Sequence, residues 1–408
     1  MVDDIKQSVF NIGTLGHIDH GKTSLTRAIT HIWTDKHSES IKRDMTIKLG
    51  YADATIKRCE QCVGASAYTT ADVCEHCNNK PSVLMRISLV DAPGHETLMA
   101  TAIAGASIID AVLFVIAANE PCPMPQTKEH LMVINLLGIK NVIIVQTKID
   151  IVGRDKAIAH HNQIREFIRG SSIEAAPIVP VMTNRNINID QLLEMIAKMP
   201  KPKRDVESYP IMYIVRSFDV NKPGANIDKL IGGVIGGSII RGRFKVGDDI
   251  EIRPGINISD NPKKDEYVPT ITHIMSMNNG EDQVESAIAG GLTGIATMID
   301  PSFVKADNLV GRVVGHVGKL PETVTSVQII YKRINRNDIP VQGFSENEAL
   351  IVGIATATVV GRVKKAKRDT LTLEFNHPVC IDKEAKIAIL RNIAKRWRLT
   401  GYGLLSTK

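Results

Sequence analysis

The sequence has 408 residues, is 43% hydrophobic and 23% charged, and carries a formal net charge of +6. That length suggests two or three domains, each able to build a core. No apolar run is long enough to span a bilayer, and the opening MVDDIKQS lacks the basic-then-apolar layout of a secretion signal, so the reading is a cytoplasmic protein with no membrane partner.

In chain order, SVFNIGTLG reads as an apolar strand feeding a glycine-rich turn, and 22–33 reads as the helix after it. VLMRISLVDA, IIDAVLFVIAA and KNVIIVQTKID read as further strands, with helical patterns at 128–137, at 157–168 and in QLLEMIAKM. Strands alternating with helices imply an α/β domain with a mainly parallel sheet, expected over 1–203. PKPKRD, at 200–205, reads as a linker. Beyond it come short β-rich segments punctuated by Gly, Pro, Asn and Asp, such as GGVIGGSIIRGRFKVGDDIEIRP and ALIVGIATATVVGRVKKA. They suggest two all-β barrel domains, at 204–320 and 321–408. From Pro321 onward fifteen Lys and Arg face eight Asp and Glu. A basic final domain suits a polyanionic partner, nucleic acid first, or else a solvated basic face.

Three short stretches carry nucleotide chemistry. Gly16, Gly21, Lys22 and Thr23 fit G-x-x-x-x-G-K-[ST], between a strand and a helix. In such a loop backbone N–H groups cradle phosphates, Lys22 reaches the β- and γ-phosphates, and the Thr23 hydroxyl ligates Mg²⁺. DAPGHE places Asp91 at a strand end, where a carboxylate holds the metal, usually through water. Gly94 follows to bond the γ-phosphate, and His95 to orient a water. TKID then offers Thr147, Lys148 and Asp150; a carboxylate there accepts two hydrogen bonds from guanine, whose paired donor edge adenine lacks, and the Lys148 stem lies along the base.

Cys59, Cys62, Cys74 and Cys77 form C-x₂-C, eleven residues, C-x₂-C. Two tight turns aiming four thiolates at one ion make a closed, structural Zn²⁺ site, expected as an insertion over 57–80. Free thiols or two disulfides are the alternative. Cys122 and Cys380 stand apart.

GHIDHGKT, DAPGHE and TKID in this order resemble the translational GTPases. WTDKHSESIKRDMTIKLGYADA, the cysteine pairs, RSFDVNKPGANIDKLIGGVIGGSI and the final IAKRWRLTGYGLL narrow the resemblance to the family of gamma subunits of archaeal and eukaryotic translation initiation factor 2, the archaeal form above all. The resemblance implies a P-loop GTPase domain followed by two β-barrels, and GTP hydrolysis to GDP. It implies catalytic roles for Lys22, Asp91 and His95, with Ile18 and Met45 as an apolar gate beside His95. It extends the nucleotide contacts to Asp19, His20, Gly21, Lys22, Thr23, Ser24, Gly94, Thr147, Lys148 and Asp150, and to Met182, Thr183 and Asn184 in a third loop. Mg²⁺ would be held by Thr23, Thr46 and Asp19, and Tyr51 would line the pocket for an aminoacylated tRNA end. The implied partners are initiator methionyl-tRNA, alpha and beta subunits of the same factor, and the small ribosomal subunit. Lys364, Lys365, Lys367 and Arg368, with Arg391, Lys395, Arg396 and Arg398, are candidates for nucleic-acid backbone contacts.

Three positions depart from the family pattern: Asp44 stands where Gly is usual, Thr147 where Asn is usual, and Met182–Thr183 where Ser-Ala is frequent. Elongation-type or selenocysteine-type tRNA carriers share this chemistry, though the cysteine insertion argues against them. A scaffold that binds GTP without hydrolysing it is the reading from another class.

Overall fold

β1 (Phe10–Gly16) is buried along its whole length, because it runs between two parallel neighbours inside a seven-stranded sheet. The computed structural model describes residues 6–34, 49–93, 99–222, 224, 231–259, 265–334, 336 and 342–406, in two units, Met1–Lys203 and Arg204–Lys408.

In the first unit α1 (Lys22–Thr30) follows β1, then β2 (Gly50–Arg58), β3 (Tyr68–Thr69), β4 (Ser82–Asp91), α2 (Met99–Ala106) and β5 (Ala111–Ala117). α3 (Pro125–Leu137), β6 (Asn141–Thr147), α4 (Arg154–Ile168), β7 (Ile178–Pro180) and α5 (Ile189–Ala197) complete it. The sheet order is β3-β2-β4-β1-β5-β6-β7. β4, β1, β5, β6 and β7 are mutually parallel, and β2 and β3 join antiparallel at one edge. The mainly parallel sheet expected from the alternation is therefore present. Two of its helices pack against it in one core: Leu25 and Ile29 of α1 and Ile189, Leu192, Leu193 and Ile196 of α5 join Phe10 and Ile12. α5 shows why it is a helix, its apolar residues recurring at i, i+3, i+4 and i+7. α3 begins with Pro125 in its first turn and ends at Gly138, whose φ of 71° lets its N–H return to the Ile134 and Asn135 carbonyls. The C-terminal ends of β1 and β4 lie side by side, Thr14 opposite Asp91, which puts the loops after them at one edge of the sheet, where open α/β sheets bind ligands.

The second unit contains β8 (Ile211–Phe218), β9 (Val234–Lys245), β10 (Asp249–Asn257), β11 (Tyr267–His273), β12 (Ser276–Asn279), β13 (Asp282–Val284), β14 (Ser286–Ala296) and β15 (Val313–His316). These pair in the order β11-β10-β15-β8-β9-β14-β12-β13. This sheet curls around one core that includes Met212, Ile239, Phe244, Ile252 and Ile295, but among the described residues its end strands β11 and β13 are not paired to each other. The expected first barrel is thus a curled open sheet. Its bending comes from register shifts at Gly290 in β14 and before Ile256 in β10. At Gly255, with φ of 102°, an added Cβ would lie 1.8 Å from the Val268 carbonyl oxygen, so only glycine fits.

The last six strands, β16 (Thr323–Arg333), β17 (Ala349–Ile354), β18 (Ala357–Lys367), β19 (Thr370–Cys380), β20 (Ile387–Ile393) and β21 (Arg396–Leu405), form a closed barrel. Ile329, Leu350, Val352, Leu373 and Ile389 fill it. Here the expected barrel is present. Among the described residues no helix is long and apolar enough to cross a membrane.

Candidate nucleotide site and cysteine centre

The loop from β1 to α1 is shaped by two glycines. Gly16 pairs with Val115 of β5, and an added Cβ would sit 2.2 Å from the Val115 carbonyl oxygen. Gly21 adopts φ of 87° and caps α1. Asp19, exposed, also has positive φ, at 57°. The turn folds over so that the Lys22 ammonium donates to the His17 carbonyl at 2.7 Å. Lys22 is buried; burial brings its pKa down to about 8, with the Asp91 and Asp19 charges opposing. A buried cation inside a ring of backbone is suited to an anion entering the loop.

Asp91, fully buried at the end of β4, accepts three hydroxyl hydrogen bonds. Thr14 Oγ1 donates at 2.8 Å, Thr23 Oγ1 at 2.8 Å and Thr34 Oγ1 at 2.9 Å. Burial pushes its pKa up, while Thr23, Lys22, Thr14 and Thr34 hold it back. The structure thus brings Lys22, Thr23 and Asp91 together. Hydroxyl and carboxylate oxygens beside a phosphate loop are a donor set that fits Mg²⁺.

The TKID stretch reaches the same loop through a contact the sequence does not announce. Thr147 Oγ1, buried at the end of β6, donates to the His20 carbonyl at 2.6 Å. A hydroxyl therefore ties the TKID turn to the phosphate loop. Lys148 has φ of 56°, and Asp150 after it is exposed. Met182 bridges to Ile187, closing a short 3₁₀ turn over Thr183–Arg185. Ser24, Thr183 and Asn184 line one cleft. Tyr51 stands in β2 opposite Val90. Asp44, Met45, Thr46, Gly94 and His95 lie outside the described residues.

Two buried histidines support the loop. His20 places Nδ1 3.2 Å from the Val115 carbonyl and Nε2 3.4 Å from Glu120 Oε2. His130 of α3 accepts the Gly16 N–H on Nδ1 at 2.8 Å. Burial takes both rings down to about 3, so both are neutral at pH 7. His130 is absent from the sequence reading; its signal is a polar run, Gln126, Thr127, Glu129 and His130, on the buried side of α3.

The four knuckle sulfurs lie within 4.8 Å of one another. Cys59 and Cys77 Sγ are 3.3 Å apart, Cys62 and Cys74 Sγ 3.7 Å. A tetrahedron with Zn–S bonds of about 2.3 Å has edges of about 3.8 Å, so the cluster matches the metal's size. Backbone returns set the two turns: Cys59 N–H donates to Ala67 at 2.7 Å and Cys74 N–H to Asn79 at 2.9 Å. No disulfide forms among the described cysteines.

In the last barrel Arg391 is not a surface cation. It is 8% exposed and forks onto Glu348 with bonds of 2.6 and 2.8 Å. Its guanidinium also donates to the Gly343 carbonyl and lies 4.4 Å over the Phe344 ring. Carboxylate and ring leave it no face for a phosphate, which corrects its place among the candidate nucleic-acid contacts. Lys365, Lys367, Arg368, Lys395 and Arg396 are exposed, as is Lys364, which pairs with Glu374 at 2.7 Å.

Known families account for both ends of the chain. Residues 7–202 match the elongation factor Tu GTP-binding domain, and 324–405 match initiation factor eIF2 gamma, C-terminal. Translation initiation factor 2 subunit gamma of Methanococcus maripaludis is 48% identical over 405 residues, covering 98% of each chain. The chain belongs to the translation initiation factor 2 gamma-subunit family. The gamma subunit of Methanothermobacter thermautotrophicus is 46% identical, with 98% of this chain and 99% of that one aligned, and that of Pyrococcus furiosus 45%, with 98% of each. As a gamma-family member with a P-loop GTPase domain, the chain is a GTP-dependent translation factor that hydrolyses GTP. Among solved structures, bacterial selenocysteine-specific elongation factor EF-Sec shares the fold at a TM-score of 0.74 and 23% identity, aligned over 98% of this chain and 59% of that one. Elongation factor SelB from Methanococcus maripaludis, with the GTP analogue GppNHp, aligns at 0.73 and 22%, over 99% of this chain and 80% of that one.

Proposed function

We propose that this gamma-family chain carries initiator methionyl-tRNA to the small ribosomal subunit in its GTP state and releases it after hydrolysis, in the cytoplasm, as part of a heterotrimer with alpha and beta subunits. The observation that carries the reading is the full-length similarity to gamma subunits, 48% over 98% of the chain, joined to the cluster of Lys22, Thr23 and Asp91 around one phosphate loop. On this reading Lys22 and the loop N–H groups stabilise charge developing on the β- and γ-phosphates. Thr23, Thr46, Asp19 and, through water, Asp91 would hold Mg²⁺, which supplies electrostatic stabilisation of the phosphates when bound. Gly94 meets the γ-phosphate, and His95 orients the attacking water. Asp150, with Thr147 and Lys148 beside it, reads guanine, and the Met182–Asn184 turn contacts the base. Tyr51 contacts the aminoacylated end. Cys59, Cys62, Cys74 and Cys77 would hold a structural Zn²⁺.

The test is binding of initiator against elongator methionyl-tRNA, first with a non-hydrolysable GTP analogue and then with GDP. Initiator preference that weakens on the order of tenfold with GDP is the expected result for a nucleotide-coupled carrier. Equal binding in both nucleotide states overturns it.

A further inference from the structure

A cleft of about 440 Å³ lies against α1, lined among others by Ser24, Arg27, Trp33, Thr183, Asn184 and Asn186. Its size falls in the range of small-molecule sites. One end is set by Ser24, the residue directly after Thr23 of the phosphate loop. One wall is the turn that holds Thr183 and Asn184. The cleft therefore runs from the residue after the phosphate loop to the turn proposed above to contact the base. The remaining wall is an indole and a guanidinium.

Trp33 is 45% exposed. Its position is nonetheless defined from both sides. On one side His31 N–H returns to the Arg27 carbonyl at 2.8 Å, closing α1. On the other, Thr34 donates its hydroxyl to Asp91. The Arg27 guanidinium lies over the indole, 5.7 Å from the ring centroid. A cation against an aromatic ring fixes the ring's plane. A flat, half-exposed ring on the rim of a polar cleft offers a purine the π-surface that hydroxyls and amides do not.

We propose that the indole of Trp33, braced by Arg27, is a nucleoside-contacting side chain of the guanine-nucleotide site. The inference rests on the guanine-nucleotide reading above and adds a contact that the three nucleotide motifs do not contain. It also gives the segment after α1 two anchors, the nucleoside through Trp33 and the protein's own Asp91, on the phosphate side, through Thr34.

The chain has two tryptophans, Trp33 and Trp397, so W397F leaves Trp33 as the sole indole emitter. GDP is titrated into W397F with emission and calorimetry read together, and ATP serves as the control. The expected result is a change in emission that saturates with the calorimetric signal. W33A should weaken GDP binding by about 5- to 150-fold, as loss of a base–aromatic stack does, with W33F recovering most of it. GDP bound by calorimetry with the Trp33 emission unmoved would overturn the inference and leave the guanine site intact; so would GDP affinity in W33A within about twofold of the parent. Failure of W397F to take up GDP at all overturns the guanine reading itself, and the inference with it. The emission titration decides the matter even if W33A does not fold.

Discussion

Replacing His130 by Leu removes the acceptor that holds the Gly16 N–H at 2.8 Å. His130 is completely buried, so the amide loses its partner without gaining water. A buried donor left without an acceptor costs about 1–3 kcal/mol. The ring also sets a pH dependence. Burial holds its pKa at about 3, against 6.5 for a free histidine. Between those values the unfolded chain binds a proton that the folded chain does not. Stability is therefore intact above about pH 6.5 and lost as pH falls toward about 3, by up to about 1.4 kcal/mol per unit. At about pH 5 the loss from this ring is about 2 kcal/mol. His20 acts in the same direction with the same value, and burial lowers His160 and His161 too, so H130L should flatten the acid slope only by the part its own ring carries. Urea unfolding of the full chain near neutral pH and near pH 5, with and without GDP, measures both effects. H130L should lower the midpoint at neutral pH and weaken GDP binding, since Gly16 opens the phosphate loop. H130N keeps a side-chain acceptor near Nδ1 but does not titrate, so it should recover the midpoint and keep the flattened slope. An H130L chain with the parent midpoint and the parent acid slope would refute the argument that this bond holds the loop.

Two further outcomes follow from other sites. R391M should destabilise the C-terminal barrel by about 2–3 kcal/mol, because the half-buried Glu348 loses its cation and is left with the Ser345 N–H; K365A, at an exposed site, should stay within about 0.5 kcal/mol in the same thermal melts. C62S should drop bound zinc from one per chain toward none by elemental analysis, and a strong chelator applied to the parent chain should make 57–80 protease-sensitive while GDP binding persists.

The phosphate loop was legible because its demands are local. Gly16 is required by the Val115 carbonyl 2.2 Å from where a Cβ would sit, and Gly21 is favoured by a φ of 87° that L side chains rarely adopt, and strand before with helix after is a pattern of neighbours in sequence. The cysteine cluster was legible for the same reason, since C-x₂-C spacing fixes each turn. β2 was not legible. Its inward residues include Ala52 and Ala54, alternating with Asp53 and Thr55, and small side chains give no strand signal. Helix ends also moved: α1 stops at Thr30 and α3 begins at Pro125, earlier in each case than the apolar pattern indicated. Thr147 and His130 reach the loop through the fold, across 127 and 114 residues of sequence, a separation that periodicity cannot read. Whether a β-rich stretch closes is likewise a question of register between its first and last strands. The glycine bulges in β14 and β10 bend the sheet, but closure depends on edges that the sequence does not bring together.

A sheet that stops short of closing keeps two rims able to recruit another strand, and the one in the second unit has its own answer to that hazard. β13 is only three residues long and carries Asp282, too little ladder for a foreign chain to extend. β11 is longer, with Val268 and Ile271 exposed, but it also holds Pro269 at an exposed position beside the register shift. A proline has no N–H to offer an incoming strand. P269V would restore that donor between Val268 and Thr270, with the exposed Ile271 just beyond. The cost would fall on solubility at high concentration, with no change at the nucleotide site.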